Sequence, residues 1–262
     1  MSEQTTVQTP RRRAAAESQT GRVATLIYGV LSYAVFFGTF LYAIGFVTTL
    51  VAPKTIDSGP AGPGLPSLIV DALLLGLFAV QHSVMARPAF KRWWTHFVPR
   101  PIERSTYVLL ASLALILLFW LWQPLPQVLW AVGGIAGALI QAVALGGWLI
   151  VLLSTFMISH FDLFGLRQVY MNLRGESYAP PGFRTAYLYR FLRHPIMLGF
   201  LIAFWAAPVM SVGHLLFSVA TTGYILIALQ LEEHDLTGYF GDTYRAYRRQ
   251  TPMFIPRLGR RS

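Results

Sequence analysis

The chain has 262 residues, of which 55% are hydrophobic and only 12% charged, and its mean hydropathy is +0.51. An average soluble domain is about 25% charged and a disordered chain needs low hydrophobicity, so neither class fits. Lys and Arg number 21 against 11 Asp and Glu, a net charge of +10, and there is no cysteine, which removes disulfides, thiolate metal centres and a cysteine nucleophile.

Residues 1–22 are polar and carry Arg11, Arg12, Arg13 and Arg22; they read as a disordered basic tail. The apolar run 23–52 is too long for the core of a signal peptide, about 7–15 residues, and no small-residue cleavage site follows it, so it reads as a retained membrane helix. The Pro/Gly-rich stretch 53–66 is a loop. A second arm covers 68–85, a basic connection with Trp93-Trp94 as an interface anchor follows, and a third arm covers 105–122. After a short Pro-containing turn, 129–158 forms a fourth arm. The polar segment 160–194 contains Tyr187-Leu188-Tyr189-Arg190-Phe191-Leu192-Arg193, which reads as an interfacial helix. The apolar stretch 196–231 would be about 54 Å long as one helix, against a hydrocarbon core of about 30 Å. Pro208 and Gly213 therefore divide it into a helical hairpin with arms 196–209 and 213–231. Residues 233–262 form a polar, basic C-terminal segment.

The expected fold is an all-α polytopic membrane bundle, 23–232, with five to six transmembrane arms and a pocket facing the cytosol. With the N-terminus inside, every Lys and Arg except Lys54 falls on the cytoplasmic side, as the positive-inside rule requires. Both termini are then cytoplasmic. The basic residues form no separate soluble patch, so the partner they imply is the bilayer and not nucleic acid.

Polar residues of unusual type gather at the cytoplasmic ends of the arms: His82, Arg104, His160 with Asp162 and Arg167, Arg193 with His194, and Glu232 with Glu233. Two adjacent carboxylates at a helix C-terminus oppose the helix dipole, so Glu232-Glu233 calls for a compensating cation, from the protein or from a ligand. Pro195 is a helix start signal, and the amides of that start suit an anionic group. Glu232, Glu233, His234 and Asp235 do not converge on one metal, because neighbours on a helix point about 100° apart.

These residues carry a resemblance. Arg193-His194-Pro195-Ile196-Met197-Leu198-Gly199, then Glu232-Glu233, then Gly241-Asp242-Thr243-Tyr244-Arg245-Ala246-Tyr247 and Pro252 resemble the C-terminal half of the membrane methyltransferase superfamily that includes isoprenylcysteine carboxyl methyltransferases and phospholipid methyltransferases. Met197 stands where that pattern has tyrosine. Gln81 to Pro88, Glu103 to Tyr107 and His160 to Arg167 resemble the nurim-like branch. The resemblance implies an enzyme that uses S-adenosylmethionine as methyl donor. Arg193, His194, Pro195, Gly199, Glu232, Glu233, Tyr244, Tyr247 and Arg248 would bind the donor. The implied acceptor is a small volatile thiol, methanethiol, giving dimethyl sulfide at a bacterial cytoplasmic membrane. Since the thiolate is the nucleophile, a base is needed. His160 oriented by Asp162 is the first candidate and His82 the second, with Arg104 and Arg167 favouring the thiolate. A phospholipid amine or a prenylcysteine carboxylate is the alternative acceptor. A haem-binding or structural membrane protein using His82, His160 and His194 is the non-enzymatic alternative.

Overall fold

The computed structural model describes residues 18–255. The expected tail lies outside that range up to residue 17. Its last residues are helical: α1 (Gln19–Thr48) starts at Gln19, with the Ser18 hydroxyl accepting from the Gly21 amide at 3.2 Å. The elements that follow are α2 (Leu65–Ala86), α3 (Pro88–Trp94), α4 (Arg100–Leu121), β1 (Val128–Ala131), α5 (Gly134–Ile158), α6 (His160–Leu163) and α7 (Leu166–Arg174). A 3-10 turn at Tyr187–Arg190 leads to α8 (Pro195–Trp205), β2 (Val209–Ser211), α9 (Val212–Phe240) and α10 (Asp242–Gln250).

Five helices, α1, α2, α4, α5 and α9, are long and apolar enough to cross a membrane. Their outward faces carry exposed aliphatic side chains such as Leu31, Leu73, Leu139 and Ile227, a surface suited to lipid and not to water. Inside, Ser32, Thr39 and Thr48 turn their hydroxyls back onto the carbonyls four residues earlier, which satisfies them without solvent. The protein is a polytopic helical membrane bundle.

Several boundaries differ from the expected ones. The fourth arm starts at Gly134 and not at 129, because residues 128–131 pair antiparallel with 209–211. Gly134, at φ +61°, then turns the chain into the helix. The hairpin is lopsided. Its first arm, α8, has 11 residues, about 16 Å of helix, and reaches only halfway across a bilayer. Its second arm, α9, has 29 residues and runs unbroken through Glu232-Glu233 to Phe240, so the boundary drawn at 232/233 falls inside a helix. Tyr187 to Arg193 is not an interfacial helix, since only one 3-10 turn forms there; α7 is the helix with one polar and one apolar face. Trp122, just past the end of α4, is 1% exposed and donates from Nε1 to the Ile56 carbonyl.

Gly199 lies where α8 presses on α5. A Cβ there would stand 2.7 Å from the Gly147 carbonyl oxygen and 2.9 Å from the Val151 amide nitrogen. Small residues allow this backbone approach between membrane helices. Gly199 is therefore a packing residue of the α5–α8 seam.

The bundle has two ends. One, the strand end, holds β1, β2 and the loop 49–64. The other, the basic end, holds α3, α6, α7, the start of α8, the end of α9 and α10.

Candidate functional site

At the basic end, the start of α8 is clamped to the C-terminal segment. Arg193 Nε donates to Glu233 Oε1 at 2.7 Å, and its Nη1 donates to the carbonyls of Thr251 (2.8 Å) and Arg248 (3.0 Å). The Arg193 and His194 amides donate to the carbonyls of Pro252 and Met253. His194 Nε2 lies 3.0 Å from Glu233 Oε1, and Arg248 Nε lies 3.2 Å from Glu233 Oε2. The Tyr247 hydroxyl donates to the Tyr189 carbonyl at 2.6 Å. Both Glu233 oxygens are thus engaged by the protein's own cations, and the residue is 4% exposed. Its charge is met by Arg193 and not by a terminal dipole, since α9 continues nearly two turns beyond it. Pro195 sits in the first turn of α8, as its residue type directs.

Glu232, one residue earlier, behaves differently. Its side chain is 46% accessible, and the His194 Nδ1 atom lies 3.9 Å from its carboxylate. Tyr189 and Tyr244 lie close enough to feel its charge. Tyr244 is 2% exposed and its hydroxyl has no hydrogen-bond partner. Burial and the nearby glutamates push the Tyr244 phenol above its ordinary range, and Tyr247 rises to about 12 from burial. Both therefore remain protonated donors at neutral pH.

A second cluster adjoins Glu232 from α2, α4 and α9. The Tyr107 hydroxyl lies 2.9 Å from His82 Nε2 and 3.1 Å from Nδ1. The His82 ring stacks on Phe78 and stands 6.5 Å from the Tyr224 ring. The Arg104 guanidinium lies 5.7 Å from the Tyr107 ring centre, in reach of a cation–π contact. Both Tyr107 and Tyr224 feel the charge of Glu232 and of Arg87. Arg87, on the connection after α2, pairs with Asp235 of α9 at 2.9 Å and donates from Nε to the Ser83 carbonyl. Burial and the flanking Arg104 and Arg87 draw the Lys91 ammonium below its ordinary range. Lys91 and Tyr224 escape a sequence reading of candidate site residues, and Arg87 shows only as a member of the Gln81–Pro88 motif. Asp235 stands beside Glu232-Glu233 in the sequence, but its partner Arg87 is far along the chain.

His160 sits elsewhere. Its Nε2 meets the Tyr33 hydroxyl at 2.8 Å and its Nδ1 meets Thr155 Oγ1 at 2.7 Å. Phe156 stacks on the ring at 4.0 Å. Burial lowers its pKa, so the ring is neutral, and its polar partners come from α1 and α5 and not from α9. Asp162 does not orient it. The Asp162 carboxylate accepts from Gln168 Nε2 at 3.2 Å and lies 3.9 Å from Arg167. The Tyr178 phenol is raised to about 12 by burial and by its hydrogen bond to Asp162. Arg167 also lies 5.8 Å from the Tyr178 ring centre. The structure thus joins Arg193, His194, Pro195, Glu232, Glu233, Tyr244, Tyr247 and Arg248 with His82 and Arg104. It leaves His160 apart with Tyr33 and Thr155, while Asp162 and Arg167 meet at Tyr178, which also feels the charge of Arg104.

No protein-family model and no solved structure matches the chain. Curated relatives do. Methanethiol S-methyltransferase of Mycobacterium tuberculosis is 58% identical over 236 residues, spanning 90% of this chain and 97% of its own. Methanethiol S-methyltransferase 2 of Bradyrhizobium diazoefficiens is 57% identical over 238 residues, spanning 90% and 92%. Nurim of Bos taurus is 33% identical over 181 residues, spanning 66% and 69%. With likeness of this degree along 90% of its length, the chain belongs to the methanethiol S-methyltransferase family.

Proposed function

We propose that the protein transfers a methyl group from S-adenosylmethionine to methanethiol and releases dimethyl sulfide, at the cytoplasmic face of a bacterial cytoplasmic membrane. The observation that carries this reading is the 57–58% identity to methanethiol S-methyltransferases along 90% of the chain. The basic end fits the donor on chemical grounds. Glu232 offers an accessible carboxylate for an ammonium or for ribose hydroxyls. The buried Tyr244 hydroxyl lacks a partner, a costly state that a ribose or adenine atom would relieve. The first amides of α8, beside His194-Pro195, suit the donor's carboxylate. Glu233, Arg193, Arg248 and Tyr247 hold these groups in place without facing the donor themselves.

On the acceptor side, His82 takes the role of base ahead of His160. It lies in the cluster whose tyrosines feel the charge of Glu232 and has one hydroxyl partner, Tyr107, shared between its two nitrogens, while each nitrogen of His160 has its own partner, Tyr33 or Thr155. His82 accepts the thiol proton as the S–H bond breaks, Tyr107 fixes the ring, and Arg104 favours the thiolate. The thiolate then forms a carbon–sulfur bond as the donor's sulfonium–methyl bond breaks, leaving two neutral thioethers. Charge is lost in this step, so the apolar walls around Phe78 favour it. The excess of Lys and Arg at this end of the bundle supports a cytoplasmic placement of both termini and of the site.

The test is a headspace assay. Membranes containing the protein, supplied with S-adenosylmethionine and methanethiol, release dimethyl sulfide. Methylation of lipid amines or prenylcysteine without dimethyl sulfide would overturn the acceptor assignment.

A further inference from the structure

The strand end contains a cavity of about 40 Å³ enclosed by α1, α5, α8 and the start of α9. Its walls include Ala144, Ala203, Ala206, Ala207 and Val209, together with Gln141 and His214. On the same measure a single water needs roughly 10–15 Å³, so the space takes a molecule of two or three non-hydrogen atoms. About 16 Å of α8 separates it from His194, which makes it distinct from the recess at Glu232.

Two of its lining residues each carry a buried polar atom without a partner. His214 is 3% exposed, and its Nε2 lies 2.9 Å from the Phe204 carbonyl oxygen. A carbonyl only accepts, so the proton is on Nε2, and Nδ1 is a bare acceptor without a partner. The Gln141 side-chain amide nitrogen is buried and equally unpartnered. The cavity therefore presents one acceptor and one donor on a mostly aliphatic wall.

We propose that this cavity is a second, non-catalytic binding site for a small neutral thiol, resting on the reading of methanethiol as substrate. The thiol hydrogen is donated to His214 Nδ1, the sulfur accepts from Gln141, and the methyl group packs on Ala144, Ala203 and Ala206. Methanethiol has two non-hydrogen atoms, matches the volume, and reaches this depth by dissolving in the bilayer. A cluster of waters matches the polar pair but leaves the alanine wall poorly covered.

The test uses the full-length protein in detergent, without S-adenosylmethionine, and ¹³C-methanethiol as the probe. Saturation transfer from protein to the thiol methyl reports all bound thiol. Ala207→Leu fills the space, and Gln141→Leu removes the donor without adding bulk. Folding is checked by size-exclusion elution and thermal unfolding. The expected result is a clear loss of signal in Ala207→Leu and roughly threefold weaker binding in Gln141→Leu, the loss of one weak hydrogen bond, with dimethyl sulfide release at saturating thiol unchanged in both. Equal signals in the wild type and in folded Gln141→Leu and Ala207→Leu would overturn the site. Failure of the substrate reading shows separately, as absence of dimethyl sulfide from the wild type.

Discussion

The two ends of the bundle solve the same problem, joining the same long helices, with different bonds. At the strand end the chain closes on itself through the main chain. Gly62 donates to Pro124, Val212 to Gln127 and Gly213 to Leu125. The Lys54 ammonium donates to the carbonyls of Trp120 and Trp122, the Gln123 amide donates to Asp71, and Ser211 donates to Asp57. At the basic end, closure is ionic: Arg193, His194 and Arg248 converge on Glu233, and Arg87 pairs with Asp235. Beside those pairs stand Glu232, half open, and Tyr244, buried and unpartnered. The strand end is closed mainly by main-chain carbonyls and amides, with the His214 and Gln141 atoms of the cavity left unpartnered. The ionic end is closed by side chains and leaves Glu232 and Tyr244 available to a ligand under the proposed function. The comparison teaches that, Glu233 apart, the frame and the proposed chemistry rest on separate sets of bonds.

The largest effect is expected at the one residue that serves both closure and chemistry. Glu233→Gln leaves the Arg193 charge buried without its counter-ion, a loss of about 3–5 kcal/mol. Thermal unfolding shifts down and dimethyl sulfide formation falls below detection. Next, His82→Asn keeps the fold and lowers kcat by about 10²–10⁴-fold, the usual contribution of a general base, with KM for S-adenosylmethionine unchanged. A loss of the same size in His160→Asn with His82→Asn active would move the base to α6. At the strand end, Ser211→Ala costs about 1 kcal/mol in unfolding experiments and leaves turnover intact; a fall in kcat there would show that the two ends are not separable.

The smallest effect is a pH slope in stability. Burial holds the folded-state pKa of His160 below its ordinary value of 6.5. The unfolded chain then binds the proton more readily than the folded one, so stability is full above about pH 6.5 and declines as pH falls below it. Unfolding midpoints measured on either side of that pH show a slope that is smaller in His160→Gln. An undiminished slope in His160→Gln would assign the acid sensitivity to other groups.

The sequence made the five long helices legible, because each is an unbroken apolar run, and it made the paired glutamates and the Arg193–His194–Pro195 turn visible as a motif. What it could not separate was Glu232 from Glu233. Neighbours on a helix point about 100° apart, and only the packed structure shows that one is buried against Arg193 while the other stays 46% accessible. Asp162 lies two residues from His160, yet α6 turns the two apart, toward Gln168 and toward Tyr33. The half-length of α8 was equally hidden, since it depends on β2 pairing with β1, a contact between residues some eighty positions apart that no local pattern announces. The pairing of Arg87 with Asp235, which stands beside the paired glutamates, is not readable until the fold brings them to 2.9 Å.

The central claim is that the recess at Glu232 receives the methyl donor. The most direct measurement is dimethyl sulfide release against S-adenosylmethionine concentration for the wild type and for Glu232→Gln. With its side chain 46% accessible, Glu232 carries little of the fold, so unfolding should be unchanged. The account predicts that KM for S-adenosylmethionine rises about tenfold or more, equivalent to about 1.4 kcal/mol of lost binding. An unchanged KM for S-adenosylmethionine in a folded Glu232→Gln protein would contradict it.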